Sequence, residues 1–189
     1  MVEKGKTIRF GSYEQDNNQT NGKEGIEWIV LNIEDNKALV ISKYALDCQK
    51  WSPRTWMNGT FLNNAFSAEE QAQIQNTNVS ADKNPDYSTN PGNATTDKVF
   101  LLSITEAKKY FPTDKSRRCA PTAYAKAQSD SFKTASGEAT CYWWLRSPGV
   151  SQRYATGVYD DGSVDYSGGR GMNIAHGCVR PALWINLDS

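Results

Sequence analysis

Alternating apolar positions near the N-terminus predict β-strands. The segment KTIRFGSYEQD and residues 26–46 are rich in β-branched and aromatic side chains, and the polar run EDNK divides the second stretch into two strands joined by a hairpin turn. In the first of these two strands Ile29, Leu31 and Ile33 share one face. We therefore expect this face to be wholly apolar and the strand to be well buried.

A helical period follows in the segment RTWMNGTFLNNAF. Trp56, Phe61, Leu62 and Phe66 recur at helical spacing, which predicts a helix that packs an aromatic face inward. Gly59 lies inside this segment and weakens the helical pattern, because glycine has a low helix propensity.

Capping boxes predict two further short helices. Ser67 and Glu70 have the spacing of a capping box, and Ser103 and Glu106 repeat it before a helix that Pro112 ends. The segment PTAYAKAQ predicts another short helix with proline in its first turn.

Residues 80–98 contain two Asn-Pro steps and few apolar side chains, which predicts a long surface loop. We expect no cofactor in this protein. A calcium ion held by the oxygen-rich side chains of the loop is the less favoured alternative, because the loop lacks the spacing of an EF-hand.

The C-terminal third returns to a strand pattern. In GVYDDGSVDY, a three-residue loop with Gly162 in the left-handed region places Val158 opposite Val164, and both valines are expected to point into the protein. The strand period of two then directs the other side chains outward, namely Tyr159, Ser163, Asp165 and Ser167. CVRPALWINL predicts a last strand, and Pro181 restricts it to an edge, a bulge or the start of the strand.

The length of 189 residues suits one domain, and the charge is balanced, with 21 basic and 21 acidic side chains. A balanced charge argues against a general nucleic-acid binder or a binder of anionic membranes. The local cluster Lys115, Arg117 and Arg118 predicts a solvated loop. No apolar run approaches a membrane span and the opening MVEKGKTIRF has no signal core, so we expect a soluble chain without membrane insertion. Cytoplasm, a phage particle and a surface protein of which this chain is a fragment all remain open as locations.

Catalytic chemistry finds little support in the residues. His176 is the single histidine, and in a strand its side chain would lie roughly 6 to 7 Å from that of Cys178, too far for thiolate activation. A single histidine also argues against a zinc or non-haem iron site. Asp160, Asp161 and Asp165 adjoin a glycine turn, where aspartate is usually a turn former and not a glycosidase carboxylate. We therefore predict that the protein is not an enzyme.

The four cysteines match no CxxC metal pair. We expect mostly reduced thiols, with one disulfide as the alternative and its pairing left open. The cysteines are Cys48, Cys119, Cys141 and Cys178.

The segment CYWWLRSPG predicts a strand in which Trp143 and Trp144 point to opposite faces, so at least one of them belongs to the core. Arg146 and Arg180 are each embedded in apolar sequence. An unpaired buried charge is very costly, so we expect each guanidinium to meet a carboxylate or backbone carbonyls and to brace an end of a loop.

The segments FGSYEQD, IEWIVL, ALVISKYALD, DKVFLLSITEAKKYF, PTAYAKAQ, WWLRSPG, DGSV and VRPALWI follow one another between about residues 5 and 187. In this order they resemble a bacterial domain family of unknown function that is frequent in gut bacteria and their mobile elements. Its members resemble the variable proteins of diversity-generating retroelements. The resemblance implies an α+β, C-type-lectin-like fold related to the formylglycine-generating enzymes. Antiparallel or mixed sheets, a few short helices and long loops would form a single domain over residues 1–189.

In those retroelement systems an error-prone reverse transcriptase rewrites adenine-derived positions of a C-terminal segment, while the scaffold stays constant. The corresponding segment here is residues 150–177, between WWLRSPG and VRPALWI, and its tyrosines and small polar residues suit an adaptable contact surface. The resemblance implies an unidentified protein or cell-surface molecule as the ligand, and the oligomeric state stays open. The expected ligand-binding residues are Ser151, Arg153, Tyr154, Tyr159, Asp160, Asp165, Tyr166, Ser167, Arg170, Asn173 and His176.

Two alternatives stand beside this hypothesis. One is a structural or sensory domain of the same fold that is not diversified. The other is an oxidase-like enzyme that uses paired cysteines and copper, as the formylglycine-generating enzymes do, but Cys141 and Cys178 do not match their motif. The calcium-binding motifs of animal C-type lectins are also missing from the sequence, so calcium-dependent sugar binding is not implied.

Overall fold

The computed structural model describes residues 2–49, 53–129, 139–168 and 177–187. Its first sheet has four antiparallel strands in the order β1-β2-β3-β11. They are β1 (Thr7–Tyr13), β2 (Glu24–Glu34), β3 (Lys37–Ser42) and β11 (Ala182–Asn186). The predicted EDNK hairpin is confirmed, because β2 and β3 are joined by Asp35 and Asn36, both with positive φ.

The second sheet has five strands in the order β4-β10-β7-β8-β9, in which only the β10–β7 pairing is parallel. They are β4 (Asp47–Gln49), β7 (Trp143–Pro148), β8 (Ala155–Val158), β9 (Val164–Asp165) and β10 (Gly177–Val179). A separate two-stranded ribbon pairs β5 (Thr77–Val79) with β6 (Thr95–Asp97).

The helices are short. The segment that was predicted to be helical by its aromatic face runs from α1 (Pro53–Trp56) through a π-helical segment (Met57–Phe61) into α2 (Leu62–Ala65). It is followed by α3 (Ala68–Gln73), α4 (Ile104–Tyr110), α5 (Asp114–Arg117) and α6 (Ala123–Ala127). The molecule is thus an α+β protein, mostly antiparallel sheet with a few short helices, as predicted.

Local signals placed most helix ends correctly. Both predicted capping boxes form at the starts of α3 and α4, where each serine accepts a hydrogen bond from the amide of its glutamate. Pro121 is an exception. It precedes the N-cap Thr122 of α6 and therefore lies outside the first turn of the helix, contrary to the prediction.

The first sheet separates two hydrophobic cores. The first core contains Ile26, Trp28 and Val30 of β2, and the second core contains Leu39 and Ile41 of β3. Side chains on both faces of the sheet are therefore buried, which explains the nearly continuous apolar run of β3.

The predicted apolar face of β2 is wrong in part. A bulge between Val30 and Asn32 shifts the register, so that Leu31 is buried, Ile29 is half-buried and Ile33 is 38% exposed. The buried alternation belongs instead to the other face of the strand. Both faces of β2 carry apolar residues, so the period alone could not choose between them.

The loop predicted at residues 80–98 holds regular structure at its end, because β6 pairs with β5. The single last strand predicted over CVRPALWINL is divided at Pro181. Cys178 and Val179 belong to β10 of the second sheet, and β11 begins at Ala182 at the edge of the first sheet, so the break at Pro181 agrees with the restriction that proline imposes. None of the helices in the described part of the chain has the length and apolar character that a membrane crossing requires.

Candidate functional site

The predicted binding segment begins in a turn that is closed by backbone hydrogen bonds. The Gly149 amide donates to the Tyr154 carbonyl at 2.7 Å, the Tyr154 amide donates to the Ser151 carbonyl at 3.0 Å, and the Val150 amide donates to the Ser167 carbonyl at 3.0 Å. These bonds fix the turn between β7 and β8 from both sides, so its side chains stand on a defined backbone.

A second loop follows β8 and has the predicted form. The Tyr159 amide donates to the Ser163 carbonyl at 2.8 Å, Gly162 has a φ of 89°, and Val158 pairs with Val164. Val158 is fully buried and Val164 is half-buried against the second core, so the predicted inward direction of both valines is confirmed.

Helix α5 supports this hairpin loop from behind. Arg117 donates from Nε to the Gly162 carbonyl at 2.9 Å and from Nη1 to the Phe111 carbonyl at 2.7 Å, and it forms an ion pair with Asp114. Arg118 donates from Nε to the Asp161 carbonyl at 3.0 Å. Arg117 is only 5% exposed, so the prediction that it belongs to a solvated loop is wrong. The Gly162 and Phe111 carbonyls and the Asp114 carboxylate accept hydrogen bonds from its guanidinium.

Loop 80–98 lies alongside the first turn. Asn84 Nδ2 donates to the Pro148 carbonyl at 2.8 Å and to the Tyr166 carbonyl at 2.7 Å, and Thr89 Oγ1 donates to the Gly149 carbonyl at 2.7 Å. Asn84 is 3% exposed, and the sequence reasoning missed it. Its Asn-Pro step indicated a turn but not the carbonyl groups that this side chain would satisfy.

Both of these loops carry exposed side chains. Arg153 is exposed and Tyr154 is 38% exposed, and the large apolar side chains that stay accessible nearby are Val150 at 44% and Tyr87 at 38%. We call Tyr87, Val150, Arg153 and Tyr154 the contact face. Tyr87 lies between Asn84 and Thr89, the two residues that hold its loop against the turn.

The predicted outward direction of Asp165 is wrong. Asp165 is 2% exposed and accepts hydrogen bonds from the Tyr142 hydroxyl at 3.2 Å, the Ser167 hydroxyl at 3.0 Å and the Gly168 amide at 2.9 Å. It pairs with Gly157 across the sheet, and a Cβ at Gly157 would collide with the ring of Tyr142. Because Gly157 has no side chain, the Tyr142 ring covers the face of the sheet on which Asp165 was expected to be exposed.

The other predicted ligand-binding residues that the structure describes are half-buried. Tyr159 is half-buried, with its ring 5.6 Å from that of Tyr142, and the Tyr166 hydroxyl accepts a hydrogen bond from Lys108 Nζ at 3.0 Å. Ser151, Asp160 and Ser167 are half-buried. The last three predicted residues lie outside the described residues: Arg170, Asn173 and His176.

A groove of about 350 Å³ is lined by residues of α1, β7 and loop 80–98, and no sequence signal indicated it. Its apolar walls include Met57, Val79, Leu101 and Leu145, and Ala155 of β8 is part of its lining. The two cations on its wall are already paired with carboxylates, Arg54 with Asp97 and Arg146 with Asp82 and Glu106. The groove is therefore suited to an apolar, uncharged group.

Arg146 meets both backbone carbonyls and carboxylates, which are the partners expected from the sequence. It donates from Nε to the Ser80 carbonyl at 3.0 Å, from Nη1 to the Leu101 carbonyl at 3.0 Å and from Nη2 to Asp82 at 3.2 Å, and it also forms an ion pair with Glu106. Burial acts to raise the pKa of Asp82, but hydrogen bonds from Ser103 and Ser80 and the charge of Arg146 lower it overall. The network joins β7, loop 80–98 and α4.

Both tryptophans of β7 are buried, Trp143 in the second core and Trp144 in the first. Arg180 is 2% exposed, and its Nε donates to the Ser42 carbonyl at 2.9 Å, which confirms the expected carbonyl partner. Its guanidinium also lies 4.9 Å from the Phe111 ring centre and 5.0 Å from that of Trp143.

Acidic side chains in loop 80–98 do not converge on one point. Asp82 bonds to Ser103 and Arg146, and Asp97 bonds to Thr95 and Arg54. Among the described residues, the carboxylate group that is compact enough to hold one cation lies in the β1–β2 connection and not in this loop. Its members are Glu14, Asp16 and Glu24.

Comparison with known sequences identifies a family for most of the chain. Residues 35–187 match the model of a family described as a domain of unknown function (DUF6273). No curated protein and no solved structure matches the chain.

Proposed function

This chain belongs to the DUF6273 family, and on that premise we propose that it is a non-enzymatic, receptor-type domain that binds a protein or cell-surface ligand through its C-terminal segment. The proposed fold is C-type-lectin-like. It is supported by the sequence resemblance together with the antiparallel sheets, the short helices and the long loops of an α+β chain.

The contact face is the observation that carries this proposal. Large side chains stay exposed on two loops that are joined by hydrogen bonds from side chains of one loop to backbone carbonyls of the other, such as the bond of 2.7 Å from Thr89 Oγ1 to the Gly149 carbonyl. A tyrosine on a rigid backbone offers a large contact area and loses little conformational entropy on binding. Tyr154 and Tyr87 meet this description, and Arg153 between Val150 and Tyr154 adds a charged donor.

We further propose that this surface is diversified in the manner of retroelement variable proteins, with the variable segment at residues 150–177. The test is to sequence the locus around the gene. We expect a reverse-transcriptase gene and a near-copy of the segment that encodes residues 143–184, with mismatches only at adenines. A locus that holds neither would remove diversification from the proposal and leave ligand binding to be tested directly.

Ligand binding can be tested with a displayed library. The four residues of the contact face are randomised together and selected for binding to immobilised lysozyme, namely Tyr87, Val150, Arg153 and Tyr154. The control library randomises the same number of exposed residues in the β1–β2 connection, namely Gln19, Thr20, Asn21 and Lys23. A receptor face should yield folded binders from the first library at a frequency at least tenfold above the control. Equal frequencies would contradict a specialised contact face.

One observation favours a second candidate, a structural or sensory domain of the same fold that is not diversified. Asp165 is buried and hydrogen-bonded, so a part of the segment does not tolerate free substitution. Gene copies from related loci distinguish the two candidates. Substitutions spread evenly over all loops would favour the second candidate, and substitutions concentrated at the exposed residues of the segment would favour the first.

A further inference from the structure

The four cysteines meet inside the second core, although they are far apart in the sequence. All four are buried and free. Cys48 lies in β4 and Cys178 in β10, and their Sγ atoms are 3.0 Å apart. The Cys141 Sγ atom lies 3.5 Å from the carbonyl oxygen of Cys119, and both residues pack in the same core as the Cys48–Cys178 pair.

The Cys48–Cys178 pair has the backbone setting of a cross-strand disulfide. The two residues are directly opposed in the antiparallel β4–β10 pairing. Their amides bond elsewhere, that of Cys178 to the Tyr142 carbonyl and that of Cys48 to Asp47 Oδ1. Opposed residues that do not exchange amide hydrogen bonds have the closer Cα atoms, at about 4.5 Å, which lies within the range that a disulfide spans.

We propose that Cys48 and Cys178 are a redox pair that closes into a disulfide across β4 and β10, with a low-molecular-weight disulfide such as oxidised glutathione as the oxidant. One protein thiolate attacks a sulfur of the glutathione disulfide, which forms a mixed disulfide and releases one glutathione thiolate. The second protein thiolate then attacks the protein sulfur of the mixed disulfide and releases the other. Two protein thiols are oxidised, one glutathione disulfide is reduced, and two protons move to the two glutathione molecules formed.

A metal site fits the same atoms less well. Two thiolates on one tetrahedral zinc, with bonds of about 2.3 Å, lie about 3.8 Å apart, whereas the Sγ atoms of Cys48 and Cys178 are 3.0 Å apart. Among the described residues, the three potential metal-ligand atoms that lie within 4.8 Å of one another all belong to carboxylates, and none is a thiol sulfur. The contact therefore favours bond formation between two sulfurs over shared coordination of an ion.

The disulfide would connect positions separated by 130 residues. It would fasten β10, in which the proposed variable segment ends, to β4, which precedes α1. The inference does not depend on the proposed ligand binding, because it concerns the scaffold and not the contact face.

The test uses the full chain in glutathione buffers of increasing oxidised fraction, without denaturant. Free thiols are then trapped with a maleimide in denaturant and counted by intact mass. We expect the count to fall from four to two and peptide mapping to identify a Cys48–Cys178 bond. The oxidised protein should also unfold at a higher urea concentration than the reduced protein, because the cross-link restricts the unfolded chain.

Matched variants separate this pair from the others. Cys48→Ser should keep all three of its thiols under the same oxidation, and Cys119→Ser should fall from three to one. Four thiols that persist in the fully oxidising buffer would overturn the proposal and leave inert core cysteines. A bond mapped to Cys119–Cys141, or thiols protected by a stoichiometric metal ion in the purified protein, would overturn it as well.

Discussion

At the scale of single residues, the charge of Arg180 has to be balanced inside the protein. The guanidinium is buried, and no ion pair with a carboxylate forms among the described residues. Cys141 provides the opposite charge. Burial acts against its ionisation, but hydrogen bonds from Cys119 and Cys178 and the charge of Arg180 lower the pKa of Cys141 to about 5.

Replacing Cys141 by serine should therefore change stability in a pH-dependent way. The folded-state pKa lies below the unfolded value of about 8.5, so the thiolate contributes stability that is fully present above about pH 8.5 and is lost as the pH falls through about 5. The difference in the free energy of unfolding between wild type and Cys141→Ser, from urea denaturation, should be largest at alkaline pH. Burial raises the pKa of Cys119, so the difference for Cys119→Ser should not grow with pH.

Asp165 gives a second prediction at this scale. Asp165→Ala leaves the Tyr142 hydroxyl and the Gly168 amide without their acceptor, and we expect it to lower the free energy of unfolding by about 2 to 3 kcal/mol. Asp160→Ala, in the same hairpin but half-buried, should cost less than about 0.5 kcal/mol. Urea denaturation measures both variants, and equal costs would contradict a supporting role for Asp165.

At the scale of elements, the hairpin between β8 and β9 depends on α5. Gly162 has a positive φ, and a Cβ there would collide with the Asp114 carbonyl of α5. Gly162→Ala should therefore cost more than about 2 kcal/mol in unfolding free energy. Gly92→Ala is the matched control, because Gly92 has a similar φ of 81° but open space around its Cα, and it should cost only about 1 kcal/mol of backbone strain. Similar costs for the two variants would show that α5 does not constrain the hairpin.

The Arg146 network predicts a comparable contrast between two arginines. Arg146→Lys keeps the charge but cannot reproduce the fork that joins the Ser80 and Leu101 carbonyls and the carboxylates, and we expect a loss of about 2 kcal/mol. Arg54→Lys should change the free energy of unfolding by less than about 1 kcal/mol, because the Arg54 side chain is 57% exposed. A denaturant midpoint that moves equally in both variants would contradict the bracing role of Arg146.

At the scale of the whole molecule, the position of β3 between the two hydrophobic cores predicts how fast its backbone amides exchange. β3 lies between β2 and β11 and is covered on both faces, so its amides should exchange with deuterium only through global unfolding. Amides of residues 85–93, outside any strand, should exchange at least a hundredfold faster. Peptide-level hydrogen exchange measures both sets of amides. Fast exchange in β3 would show that the two cores do not unfold as one cooperative unit.

The sequence predicted those features that depend on near neighbours. The two capping boxes, the β2–β3 turn and the Val158–Val164 pair each need only a few consecutive residues. The errors at Ile33 and Asp165 have a common cause. A period of two assigns side chains to faces, but it does not tell which face the rest of the chain covers, and here apolar or aromatic residues cover both.

The residues that the sequence missed depend on partners far along the chain. Arg117 was expected in solvent, but the Gly162 carbonyl lies 45 residues away and receives its Nε hydrogen. Asn84 bonds to carbonyls 64 and 82 residues away. Such partners are fixed by topology, and no local pattern of residue types encodes them.

If the segment is rewritten at adenines, Gly157 and Gly162 are positions that this mutagenesis cannot change. Every glycine codon begins with two guanines, so a process that alters only adenines cannot replace a glycine that its template already encodes. The packing of the Tyr142 ring against Gly157 and of the Asp114 carbonyl against Gly162 is therefore preserved without any selection on the protein. The codon of Asp165 has adenine in its second position and lacks this protection. A diversified lineage would therefore carry copies that have lost this buried carboxylate and are less stable by about 2 to 3 kcal/mol.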